Sequence, residues 1–153
     1  MRKRSIYLLA FLLILSACSS GPKSTVEKMR EEACNSDIQG FFSYVDKTQV
    51  TENMKKKMLK QKETGNEQGF AQQMGKALAQ VIMPAVMGQV WQAYEDEIKK
   101  GKDGNLCKMK IISEKTDKNE NQTILQFPDG KQQTWGFTKY NNKWMLTSIS
   151  IPQ

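Results

Sequence analysis

The chain has 153 residues, with 23 lysines and arginines against 16 aspartates and glutamates, three cysteines and no histidine. Without histidine, zinc or copper would have to rely on carboxylates and very few thiols, so neither a metal nor any other cofactor is expected. A formal charge of +7 over this length, three of its cations within the first four residues, is too mild to point to a nucleic-acid partner.

Arg2, Lys3 and Arg4 precede an apolar run, Ile6 to Leu15, that ends in small residues, the layout of an export signal. As a helix, ~12 such residues rise about 18 Å, well short of a ~30 Å hydrocarbon core, so the run does not span a membrane. Leu15, Ser16, Ala17 and Cys18 resemble the lipobox of bacterial lipoproteins. The resemblance implies cleavage before Cys18, transfer of diacylglycerol to its thiol and acylation of the new amine; the other reading is an ordinary secretory signal with an incidental cysteine. Two or three acyl chains anchor a protein firmly where one holds it only marginally. Ser19 stands where an Asp would resemble an inner-membrane retention signal, which implies the periplasmic face of a Gram-negative outer membrane. Residues 1–17 are thus expected to be a signal peptide, 18–24 a lipidated polar tether and 25–153 one domain. Removing the three N-terminal cations leaves 20 basic against 16 acidic residues, a balance of +4.

With Cys18 assigned to lipid, Cys34 and Cys107 remain as an even pair in an oxidising compartment. A disulfide between them would close a loop of about 73 residues and stabilise the domain by ~4 kcal/mol in the chain-entropy model. The alternative is two unrelated buried thiols.

Ser24 and Glu27 have capping-box spacing, and Val26, Met29 and Ala33 follow at helical intervals, so a first helix is expected to end near Cys34. Ser36 and Gln39 repeat the capping signal before Ile38, Phe41, Phe42 and Val45, the stripe of a second helix. After a Thr-rich turn, Glu52 to Lys62 reads as a third, mostly exposed helix. For its Lys55, Lys56, Lys57, Lys60 and Lys62, contact with anionic headgroups stands beside a plain solvated face. Residues 65–101 form a helical insert in which the apolar face of Phe70 to Ala85 changes phase at Pro84 to that of Met87 to Ile98. Two helices, or one sharply kinked helix, are expected there. Its apolar centre is only ~14 residues long and is interrupted by Gln80 and Pro84, which argues for a buried or partner-facing element over a membrane span. Met74, Met83, Met87, Trp91 and Tyr94 are the candidate interaction surface, the alternative being that both faces close over one core.

Beyond Gly101 and Gly104 the period becomes two. Cys107, Met109 and Ile111 alternate with lysines; Ile124 to Phe127, Thr134 to Tyr140 and Lys143 to Ile151 follow, with hairpin signals at Asp129–Gly130 and Asn141–Asn142. Helices followed by strands predict an α+β domain, the N-terminal helices packed on one face of a curved, cone-like antiparallel sheet of about four strands.

The small-polar-Asp turn Asn35, Ser36, Asp37 after the first helix, and the closing FPDGKQQTWGFTKYNNKWMLTSISI with its Lys143–Trp144 pair, resemble small bacterial lipoproteins with a nuclear-transport-factor-2-like, or cystatin-like, domain of unknown function. The resemblance covers about 30 residues at the start of the domain and about 45 at the end, and implies a cone into which the Trp144 ring packs. The 65–101 insert departs from it. A non-catalytic binding module for an envelope protein, an apolar ligand or a second copy of the chain is the expected function. The alternative is a small enzyme of the isomerase or dehydratase type, for which the resemblance implies an Asp or His with a Tyr inside the cone. The residues of those types here are Asp37, Asp46, Tyr44 and Tyr94, of which Asp37 and the tyrosines have ordinary structural explanations.

Overall fold

A computed structural model describes residues 21–62, 70–116 and 121–150. The expected signal, Cys18 and most of the tether lie outside them. The chain is α+β. Helix α1, Pro22–Cys34, is followed by α2, Ile38–Phe42, α3, Lys47–Lys62, and α4, Phe70–Lys99. A 3-10 turn, Gly101–Asp103, leads into the short α5, Asn105–Lys108. Strands β1, Lys110–Thr116, β2, Asn121–Gln126, β3, Gln132–Tyr140, and β4, Lys143–Ser150, complete the order.

The helix starts differ from the expected ones for local reasons. α1 opens at Pro22 with Gly21 as N-cap and no side-chain cap. Proline suits the first helical position, where its missing N–H goes unused, so Ser24 falls inside the first turn and does not cap. α2 is capped by Asp37, whose Oδ1 accepts from the Gly40 N–H at 2.8 Å. Ser36 cannot serve, because with φ at 59° it makes the left-handed turn out of α1. α2 stops at Phe42, and Val45 joins Leu146 in a parallel bridge instead. The Thr-rich segment is helical too: Asp46 Oδ1 accepts from the Gln49 N–H at 3.0 Å, starting α3 five residues early. Val50 is fully buried and Asn53 Nδ2 donates to the Thr147 carbonyl at 3.0 Å, which seats α3 on β4. Lys56 and Lys57 are exposed, as expected.

α4 is one helix of 30 residues with Pro84 inside it, so the two-helix alternative does not hold. Pro84 removes one ladder hydrogen bond, but Gln80 and Pro84 are both exposed, where water can take the freed carbonyl. No helix among the described residues is long and apolar enough to cross a membrane.

The sheet is an open antiparallel meander in the order β1-β2-β3-β4. Cys107 is not in its first strand, as its spacing had implied; it belongs to α5, and β1 begins at Lys110. Asn141 and Asn142, with φ of 46° and 66°, make the two-residue turn between β3 and β4. Thr123, Trp135 and Ile149 sit side by side on β2, β3 and β4 and are all buried. α1 crosses this face with Val26 and Met29 fully buried, while Met83, Met87 and Ile98 of α4 close the same core.

Candidate functional site

The end of α4 is folded back on itself by two glycines. Gly101, with φ at 55°, turns the chain beneath α1, where a side chain would meet Ser36 Oγ at 2.7 Å. Three residues later the backbone of Gly104 lies against the Glu97 carbonyl, 2.4 Å from where a β-carbon would stand. α5 follows and is fixed by the Cys34–Cys107 disulfide, whose α-carbons are 4.7 Å apart. The bond therefore joins the end of α1 to α5 rather than to the first strand.

This corner encloses a half-open cleft of about 260 Å³. Ala93, Tyr94 and Glu97 of α4 form one wall, and Asn105 and Leu106 of α5 the next. The connection from β2 to β3 brings Phe127, Asp129 and Lys131, and Gln133 opens β3 beside them. That connection is shaped by Gly130, with φ at 83°, and by hydrogen bonds in both directions between Phe127 and the residues opposite it.

A hydrogen-bonded hub lies beneath the cleft. The Tyr94 hydroxyl and the Trp135 indole N–H both donate to Gln133 Oε1, each at 3.1 Å. An indole N–H can only donate, which fixes the oxygen branch of the amide on that side. Burial pushes the Tyr94 phenol well above the usual tyrosine range, and the Trp135 donor opposes this only in part. Tyr94 is thus a fixed donor, not a base. Rings continue away from the hub: Tyr94 stands 6.3 Å from Trp135 and 6.1 Å from Trp91, which meets Phe42 edge-on at 6.0 Å. The Lys47 ammonium caps that end, 3.8 Å above the Phe42 ring.

The rim charges are paired. Glu97 binds the Lys100 ammonium through Oε1 and accepts from the Asn105 N–H through Oε2 at 2.8 Å. The Lys100 bond leads in holding its carboxyl below the usual range, against some desolvation. Asp129 is likewise lowered, first by the Lys131 side chain and then by the Lys131 N–H; the ammonium lies 2.9 Å from Oδ2.

Of the candidate interaction surface, Met83 and Met87 are 3% and 2% exposed and belong to the core. Trp91 and Tyr94 are half-buried against it. The side chain of Met74 lies outside the described ones. Among the described side chains of α4, Val81 and Ile82 are the large apolar ones left exposed, at 77% and 50%, and both precede Pro84. Asp37 and Asp46 both serve helix starts, and Tyr44 lies under the Lys143 ammonium at 4.7 Å. None of the three lines the cleft with Tyr94. Trp144 is half-buried, whereas Trp135 is the fully buried indole.

Sequence reasoning missed Gln133, Glu97, Leu106 and Phe127. Gln133 carried one signal, its place two residues before Trp135 on the same strand face. The others are brought together by the Gly101–Gly104 turn and by the β2–β3 connection around Gly130, which spacing does not reveal. Comparison with protein-family models, with characterised proteins and with solved structures finds no match.

Proposed function

We propose that the protein is a lipid-anchored, non-catalytic binding module on the periplasmic face of an outer membrane, and that the cleft beside Tyr94 takes a small, largely apolar ligand. The observation that carries the reading is the hub: the half-buried Tyr94 hydroxyl and the buried Trp135 indole both donate to one glutamine oxygen beside an apolar wall of Leu106 and Phe127. This is the composition of a binding pocket, mostly apolar with a few placed polar groups. Catalysis by proton transfer would need a group poised near neutrality. Here the tyrosine is held protonated and the carboxylates are held ionised. The lipobox-like Leu15 to Cys18 supports the anchor, and the Cys34–Cys107 disulfide fits an oxidising compartment.

Mass spectrometry of the full chain extracted from membranes tests both parts. Denatured protein is expected to carry acyl chains on Cys18, and native protein an additional adduct that denaturation releases. Cys18→Ala is expected to leave a soluble or unprocessed form. An unmodified thiol at residue 18 of processed protein overturns the anchor.

A further inference from the structure

The cleft has an asymmetric supply of hydrogen-bonding groups. Gln133 Oε1 already accepts from Tyr94 and Trp135. Its Nε2 carries two N–H donors, and no group among the described residues accepts from them. Both oxygens of Glu97 and both of Asp129 are engaged, by Lys100 and Asn105 and by Lys131. The charges at the cleft therefore cancel in pairs, leaving no surplus of either sign for an ionic ligand.

From this balance we infer that the cleft selects a small uncharged carbonyl compound, its oxygen accepting from Gln133 Nε2 and its apolar body lying against Leu106 and Phe127. The inference rests on the cleft being the binding site proposed above. The volume, about 260 Å³, is below the ~300 Å³ lower end of drug-sized sites, which fits a molecule of one ring. A ligand that only donates hydrogen bonds would leave the amide N–H groups buried without partners, and that penalty sets the polarity of the choice. A charged ligand would have to compete with ion pairs already formed, or bring its own unpaired charge beside them.

The test uses four probes of similar shape, acetophenone, benzoate, benzylammonium and toluene, on the full-length processed chain in bicelles. The readout is the ¹⁵N indole resonance of Trp135, assigned with Trp91→Phe and Trp144→Phe. Acetophenone is expected to shift it saturably, with the other three binding at least about fivefold more weakly, the value of one net hydrogen bond. Gln133→Glu keeps an acceptor for Tyr94 and Trp135 but removes the N–H donors, so acetophenone affinity should fall by about the same factor. Unchanged affinity in that variant, or equal binding of the charged probes, overturns the inference while leaving the cleft as a site. If the variant does not fold, acetophenone against toluene decides, and equal affinity overturns it. Ala93→Leu, which narrows the cleft from its α4 wall at a residue outside the hub, is expected to weaken every shift. Should no probe move the Trp135 resonance, the cleft itself falls as the binding site.

Discussion

Gly104 rests directly on the carbonyl of Glu97, so close that a methyl group on its α-carbon would lie 2.4 Å from the oxygen. The same Glu97 receives the Asn105 N–H on its side chain, so one residue of α4 holds both the entry to α5 and its first turn. Gly104→Ala cannot be absorbed by a flexible side chain, because the atom in the way is backbone. It is expected to destabilise the protein by about 1–3 kcal/mol and to widen the cleft. Denaturant midpoints measure the first effect and amide exchange of Leu106 the second. Wild-type stability in this variant would show that α5 is not seated on α4 as described.

The disulfide acts on the same corner from the other side. Cys34 and Cys107 are 73 residues apart in sequence and bracket α2, α3 and α4. Cys34→Ser with Cys107→Ser is expected to cost about 4 kcal/mol, a large share of the 5–15 kcal/mol typical of a domain. Chemical denaturation with and without reductant measures it. The double variant should be insensitive to reductant, and equal midpoints for oxidised and reduced wild type would refute the prediction.

Tyr94 gives a signed dependence on pH. Its folded-state pKa is raised, chiefly by burial, so the unfolded chain ionises first, near pH ~10. The stability this group contributes is complete below that pH and is lost as pH rises beyond it, because the unfolded state then binds fewer protons. Tyr94→Phe removes the hydroxyl bond to Gln133 and is expected to cost about 1 kcal/mol at neutral pH. That difference should shrink as pH rises above ~10. A gap between the two proteins that stays constant or widens there would contradict the assignment.

What the sequence made legible follows period and local chemistry. The α+β class, the meander and its Asn141–Asn142 turn rest on alternation and on residues that tolerate positive φ, both of which act over a few positions. The Cys34–Cys107 pair followed from parity. The helix starts were misplaced because several residues compete for each cap, and Asp37 and Asp46 won over neighbours of similar propensity. The cleft was illegible for a different reason. Gln133 reads as an ordinary strand residue until Tyr94, 39 positions earlier, is brought to its side chain by the packing of a long helix.

The two faces of α4 give the sharpest test of how that helix is packed. Its phase break tempts the reading that Met87 and Trp91 point outward, yet Met87 is 2% exposed and Trp91 lies against Phe42 and Tyr94. Val81, on the preceding turns, is 77% exposed. A lysine at each site therefore has opposite consequences. Met87→Lys places an unpaired charge in the core and is expected to unfold the domain or cost more than about 4 kcal/mol, in the range reserved for buried charges and cavities. Val81→Lys is expected to stay within about 0.5 kcal/mol of wild type, as exposed substitutions do. Thermal melts of the two variants, side by side, read the difference. A stable Met87→Lys protein would return Met87 to the surface and reopen the C-terminal face of α4 as an interaction site. Destabilisation by Val81→Lys would instead show that the N-terminal face is covered, by a second copy of the chain if the loss depends on protein concentration.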